Sequence, residues 1–159
     1  GFSEVESASI ATGALWLRPL FAILAGFSAD RFGSLKVISA CFLIMIIGGA
    51  MIAAGFLETI IFWVFATMVF TVVGIYGLRG VYFAVIDDLN IPAASTGTAV
   101  GVMSVLGYTP DVFISPIMGY LLDTYPGAQG HHYLFMIIAG AGLLGLLTVM
   151  LLIRLLTKE

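Results

Sequence analysis

Charged residues are scarce in this sequence. Asp, Glu, Lys and Arg make up 9% of its 159 residues, against about 25% in an ordinary soluble domain. Hydrophobic residues make up 61%, so there are too few charged groups to cover a water-facing surface. The composition excludes an ordinary soluble domain and predicts a protein whose solvent is mostly lipid.

The sequence also lacks a basic cluster and a second cysteine. Six Lys and Arg against nine Asp and Glu give a net charge of -3, without any basic block, so we expect no nucleic acid among the partners. Cys41 lies in an apolar run and has no cysteine to pair with. We therefore expect a small buried apolar side chain there.

Enzyme motifs are absent as well. The chain has no Ser-His-Asp constellation, phosphate loop, His-Glu-x-x-His motif or Rossmann glycine fingerprint. His131 and His132 are adjacent, and no further metal ligand stands at a useful spacing. We expect a protein that is not an enzyme and that holds neither a cofactor nor a metal.

Five continuous apolar runs are each long enough to cross about 30 Å of hydrocarbon as a helix. They lack the alternating pattern of a membrane barrel. The predicted spans are 7–29, 37–56, 59–86, 95–122 and 133–156. Ser95 is the expected N-cap of the fourth span, and a turn is expected between Thr124 and Gly130. The sequence predicts an all-α integral membrane protein with five transmembrane helices.

Basic residues gather on one side of these spans. The residues on that side are Arg31, Lys36, Arg154 and Lys158, and the opposite side carries Glu4, Glu6, Glu58 and Asp123. By the positive-inside rule the C-terminus is cytoplasmic, and we expect a bacterial inner membrane. Residue 1 is Gly and no signal-peptide pattern follows it, so we expect a part of a longer membrane protein.

Two charges fall near the middle of predicted spans, where insertion of a charge costs about 3 kcal/mol. Arg18 shares a helix face with a series of alanines. It fits an anion ligand, because guanidinium offers a planar fork of donors, or else a structural ion pair with a carboxylate on another helix. Asp111 likewise has a functional and a structural interpretation. It either binds solute or carries a coupling proton, or it is the partner in a fixed salt bridge.

Asp111 lies on a polar helix face. The other members of that face are Gly97, Gly101, Ser104, Tyr108, Ser115 and Gly119. A polar stripe in a membrane helix faces a cavity or another helix. Pro110 and Pro116 weaken the same helix, so a third role for Asp111 is to cap a helix that breaks there.

Arg79 has two interpretations. Tyr76, Tyr82 and Phe83 flank it, which suits stacking around a ligand, but Arg79 is also close enough to the predicted cytoplasmic end to snorkel to the headgroups. Pairs of small residues four apart indicate close helix packing. These pairs are Ala22 and Gly26, Gly49 and Ala53, and Gly97 and Gly101.

The segment from Gly26 to Gly33 resembles the Gly-x-x-x-Asp-Arg-x-Gly loop motif of the major facilitator superfamily. Its motif positions are Gly26, Asp30, Arg31 and Gly33. The family has a basic pair next, whereas this chain has Ser34 and a base only at Lys36, as suits the weaker copy between the eighth and ninth helices. The chain then resembles helices eight to twelve of that twelve-helix fold.

This resemblance implies two six-helix bundles, with a solute bound between them near the midplane during alternating access. It implies that the helices carrying Arg18, Arg79 and Asp111 line the cavity, and that Asp30 stabilises one conformation by meeting a helix end of the opposite bundle. A solvated Asp30 at a helix end is the simpler alternative. The first seven helices would then be partners of this chain.

Three segments bear on the solute. Arg18-Pro19 is similar to the arrangement in nitrate porters, where an arginine of the eighth helix holds the anion. The segments Thr96 to Gly101 and Tyr108 to Asp111 depart from that pattern and resemble members of the organic-anion or sugar-acid type. The residues expected to contact solute are Arg18, Tyr76, Arg79, Ser104, Tyr108, Asp111 and Ser115.

The sequence thus predicts a secondary active transporter of a small, polar, anionic solute, with proton coupling through Asp111 or an acid in the absent helices. Two other functions stay open. One is a passive facilitator of the same fold in which Arg18 and Asp111 form a structural pair. The other is a membrane scaffold or assembly subunit whose polar stripe packs against a partner helix.

Overall fold

The computed structural model describes residues 5, 9, 12–13, 15–55 and 61–157, and these residues contain helices but no strand. Five long helices follow one another. They are α1 (Leu17–Phe32), α2 (Ser34–Ala53), α3 (Ile61–Val81), α5 (Ala93–Thr124) and α6 (Ala128–Leu156). Between α3 and α5, a 3-10 turn (Tyr82–Ala84) leads into the short helix α4 (Val85–Asp88).

Four stretches of the described chain are long and apolar enough to cross a membrane. These are Ser34–Ala53, Phe65–Asp88, Ala93–Thr124 and Ala128–Leu156. The first predicted span, 7–29, begins among residues outside the description, and α1 shows 16 residues of helix. The chain is therefore an all-α integral membrane protein, and this predicted fold class is confirmed.

Glycine and proline fix the helix ends. Gly33 ends α1 at a φ of 92°, and its N–H donates to the Ala29 carbonyl over 2.8 Å; only glycine takes this backbone conformation without strain. Pro92, and not the predicted Ser95, occupies the N-cap position of α5. Gly127, at a φ of 78°, lets α6 begin at Ala128, five residues before the predicted start.

Helix α2 lies in the centre of the bundle and packs against both α3 and α6. A glycine stripe on α3 makes the first contact close, since a Cβ added to Gly74 would lie 2.7 Å from the Cys41 carbonyl oxygen. One added to Gly80 would lie 2.8 Å from the Cα of Ala22 on α1. Cys41 is buried in this packing, as expected.

Small residues also bring α2 and α6 together. Gly49 of α2 abuts the Phe135 carbonyl and Ala139, whereas Gly142 and Gly145 of α6 abut Met45 and Phe42. Residue numbers rise along α2 as they fall along α6, so the two helices run antiparallel. The bases Lys36 and Arg154 therefore lie at the same end of the bundle, as predicted from charge alone.

Helix α5 is the least packed helix of the described chain. None of its 32 residues is buried, and its main neighbour is α6. A Cβ added to Gly97, Gly101 or Gly26 would have no neighbour within 4 Å. Of the predicted small-residue contacts, those of Ala22 and Gly49 are thus present, and those of Gly26, Gly97 and Gly101 are not made by the described chain.

Candidate functional site: an ion pair within the membrane spans

Arg79 and Asp111 form an ion pair that joins α3 to α5. The guanidinium Nη2 donates to Oδ1 of the carboxylate. Arg79 lies nearer to the middle of the span Phe65–Asp88 than to either end, and so does Asp111 in the span Ala93–Thr124. The structure therefore places two opposite charges together near the middle of two apolar spans.

Tyr108 completes this group. It lies three residues before Asp111, on the same face of α5, and its ring centroid is 5.7 Å from the Cζ of Arg79. A guanidinium at this distance is attracted to the ring electrons. The cation of Arg79 therefore meets a carboxylate and an aromatic ring that both come from one turn of α5.

The pair is open on one side. The side chains of Arg79 and Asp111 are 27% and 51% exposed, and one nitrogen and one oxygen make the contact, whereas arginine often binds carboxylates through two. Contact between a half-exposed carboxylate and lipid tails at mid-span would carry a large desolvation penalty. The open side of Asp111 fits a water-filled cavity or further helices.

The ion pair changes two of the predicted roles. Arg79 does not snorkel to the helix end, because its guanidinium is held by Asp111. The structural pair between Arg18 and Asp111, one of the alternatives, is absent, since Asp111 bonds to Arg79 instead. Arg18 is exposed near the start of α1 and makes no ion pair within the described residues.

Asp111 does not cap a broken helix. Helix α5 continues through Pro110 and Pro116, although neither proline has an N–H to donate to the preceding turn. Just before Pro110, the Thr109 hydroxyl donates to the Val105 carbonyl over 2.5 Å. Asp111 is thus a side chain in mid-helix, and the helix-break interpretation was wrong.

The remaining predicted ligands lie along the same two helices. Tyr76 is half-buried on α3, three residues before Arg79. Ser104 is half-buried and Ser115 is exposed on α5, and both share the helix face of Asp111 by their spacing. The structure therefore gathers Arg79, Tyr108 and Asp111 into direct contact and leaves the two serines as neighbours along the helix.

The predicted loop motif lies at the end of α1. Asp30 and Arg31 are exposed, and the Arg31 guanidinium lies 5.6 Å from the ring of Phe32. The contact across the helices comes from a residue outside the motif, because the buried Ser34 hydroxyl donates to the carboxylate of Asp88 at the end of α4. Ser34, the first position after the predicted loop motif, is thus the residue that bonds to a neighbouring element.

Tyr82 follows Arg79 closely in the sequence but is not among the residues predicted to contact solute. It opens the 3-10 turn that follows α3, its ring lies 4.0 Å from that of Phe83, and its hydroxyl is buried beside α5. Its position three residues after Arg79 could have identified it from the sequence, because residues at that spacing share a helix face.

Comparison with known proteins gives two relatives. Inner membrane protein YqcE of Escherichia coli is 38% identical over 74 residues, which cover 46% of this chain and 17% of that protein. Inner membrane protein YihN of the same organism is 32% identical over 80 residues, which cover 50% of this chain and 19% of that protein. Each match thus spans less than a fifth of the relative's length. No family model and no solved structure matches the chain.

Proposed function

We propose that this chain is part of a secondary active transporter that moves a small anionic solute by alternating access. The observation that carries the proposal is the half-exposed Arg79–Asp111 pair inside the membrane spans. Ionisable residues at such depth are rare, and they mark substrate and ion pathways in membrane proteins. Arg79 supplies the cation that a carboxylate or phosphate recognises.

Asp111 supports an anionic solute in particular. Its carboxylate already occupies one nitrogen of Arg79, so the guanidinium is arranged to hold a carboxylate-like group. The remaining N–H donors and the open side of the pair leave room for exchange with an anion. Arg18, which no described carboxylate neutralises, adds a second cation on α1 for the same solute.

The architecture in this proposal is that of the major facilitator superfamily, with the chain as helices eight to twelve and the missing helices closing the cavity over α5. The names of both relatives support an inner membrane location. In this arrangement the loop of Asp30 and Arg31 is cytoplasmic, as is the C-terminus. A proton-coupled mechanism would use Asp111, and the protein would act without a cofactor and without enzyme activity.

Uptake into proteoliposomes tests this function. The complete protein would be reconstituted, and uptake of lactate, gluconate, nitrate and glucose measured under an imposed pH gradient. We expect accumulation of an anion above its equilibrium level. We expect Arg79→Ala to lower uptake about tenfold or more, since a hydrogen bond to a charged group contributes about 1.5–3 kcal/mol.

Arg154→Ala is the matched control, because Arg154 is an exposed arginine at the end of α6. It should transport like the parent. Downhill uptake without accumulation would instead support the passive facilitator. If no solute enters the vesicles, transport is ruled out for this panel and the scaffold function takes its place.

A further inference from the structure

The hydroxyl of Tyr82 is a polar group beside the ion pair that the proposed function has not used. It is buried and has no hydrogen-bond partner in the part of the chain that the structure describes. The side chain of Tyr108 approaches this hydroxyl without a hydrogen bond of normal geometry, and Arg79 also lies within electrostatic range of it. Buried polar groups in native proteins are nearly all bonded, so an exception calls for a functional explanation.

A glycine covers this hydroxyl. A Cβ added to Gly107 of α5 would lie 3.6 Å from the Tyr82 oxygen and 3.4 Å from its ring. Gly107 directly precedes Tyr108, so the turn of α5 that contacts Arg79 also closes over Tyr82. At Gly107 itself the cover over the hydroxyl is backbone, and the side chain of α5 that approaches it is that of Tyr108.

The cover belongs to the helix with the least burial in the described chain. No residue of α5 is buried, and the 3-10 turn at Tyr82 interrupts the regular helix on the other side of the contact. Short 3-10 segments within a helix often mark hinges. A small movement of α5 away from α3 would expose Arg79 and Tyr82 together.

We propose that Tyr82 is a solute ligand of the same site. The solute's anionic group takes the place of Asp111 on Arg79, and a second, neutral oxygen of the solute bonds to the Tyr82 hydroxyl. This inference rests on the proposed transport function and narrows its substrate to small organic anions that carry a hydroxyl or keto oxygen.

The spacing of the two residues sets the size of the solute. Arg79 lies in the last turn of α3 and Tyr82 opens the 3-10 turn. Residues three apart share a face in both kinds of helix, with Cβ atoms about 5–6 Å apart. One small molecule can therefore reach both groups when its neutral oxygen is a few bonds from its charge. An inorganic anion such as nitrate satisfies Arg79 alone and leaves the hydroxyl unbonded.

Matched solute pairs test the role of Tyr82. The probes are 3-hydroxybutyrate against butyrate and gluconate against hexanoate, which differ in hydroxyl groups and share their charge. Affinities would be taken from thermal stabilisation of the purified complete protein as a function of probe concentration. The variants are Tyr82→Phe, Tyr108→Phe and Arg79→Gln, and the control is Tyr120→Phe, a tyrosine of α5 that is 67% exposed.

We expect the parent to bind the hydroxylated member of a pair about two- to tenfold more tightly, the range of one neutral hydrogen bond. Tyr82→Phe should remove this preference and leave the affinity for the other member unchanged, a ratio that a merely structural role would not alter. Tyr120→Phe should keep the preference, and Arg79→Gln should weaken both members.

Three results would overturn the assignment. The preference survives in Tyr82→Phe, it is lost in Tyr108→Phe instead, or the parent binds both members equally well. In each of these cases anions still bind through Arg79, so the proposed transport function stands. If no probe stabilises the parent, or Arg79→Gln binds like the parent, the anion site fails along with the role of Tyr82.

Discussion

Asp111 holds Arg79 through one oxygen and one nitrogen while half of its own side chain remains exposed. An ion pair in this position has a mixed energetic role. Attraction between the charges is stronger than in water, but their desolvation opposes it. Loss of one partner is the costly event, because the other charge is then left unpaired within the spans.

The first prediction concerns this loss. Asp111→Asn should lower the free energy of unfolding by about 1–3 kcal/mol, less than for a fully buried pair because both groups are partly exposed. The charge-swapped double variant Arg79→Asp, Asp111→Arg should regain part of that loss. Thermal unfolding of the complete protein in detergent measures both.

Asp123→Asn is the matched control, since Asp123 is an exposed carboxylate near the end of the same helix. Its unfolding temperature should stay that of the parent. Equal unfolding temperatures of Asp111→Asn and Asp123→Asn would show that the ion pair does not stabilise the fold.

Helix α3 contacts α1 and α2 through a stripe of glycines at positions 74, 77 and 80. In a membrane, close packing of backbones replaces the hydrophobic effect as the source of helix association. The same residue type on α5, at Gly97 and Gly101, meets no neighbour in the described chain. The glycines of α3 therefore bring helix backbones into contact, whereas Gly97 and Gly101 of α5 make no such contact within the described chain.

This difference gives the second prediction. Gly80→Ala adds a methyl 2.8 Å from both the Cα and the carbonyl oxygen of Ala22, and backbone atoms cannot rotate away. Overpacking of this kind costs about 1–3 kcal/mol, so the unfolding temperature should fall. Gly140→Ala on α6 has no neighbour within 4 Å of the added methyl and should leave the unfolding temperature unchanged, and equal effects of the two variants would contradict the packing described.

The sequence predicted the helices more accurately than it predicted the contacts between them. Continuous apolar runs predict helices because each one must satisfy its own backbone in lipid, and charge spacing identified Arg79 and Asp111 separately. Nothing in a single sequence says which of two arginines meets Asp111, since that depends on how α3 and α5 pack. Pro110 illustrates the same limit, because the helix continues through it.

At the scale of the whole molecule, the described residues form a bundle of α1, α2, α3 and α6 with α5 at its margin. The described contacts place Lys36, Arg154 and the bond between Ser34 and Asp88 at one end, and the turn around Gly127 at the other. Asp123 lies near the end opposite Lys36 and Arg154, so each end carries a charged residue that can be replaced by a label. This arrangement makes membrane orientation measurable.

The third prediction is the orientation of that axis. In a Cys41→Ala background, Lys36→Cys should react with a membrane-impermeant maleimide only from the cytoplasmic side, and Asp123→Cys only from the outer side. Intact cells and inverted vesicles distinguish the two faces. Labelling of both positions from the same side would contradict the antiparallel order of the helices, and a full reversal would contradict the assignment of the cytoplasmic side.

The short turn between α5 and α6 also bears on how the protein enters the membrane. Helix α5 is the least apolar of the four candidate spans, and α6 is the most apolar. A polar face and a carboxylate make insertion of α5 alone unfavourable. Because only residues 125–127 separate the two helices, they form a helical hairpin in which the free energy of transferring α6 into lipid offsets the cost of transferring α5.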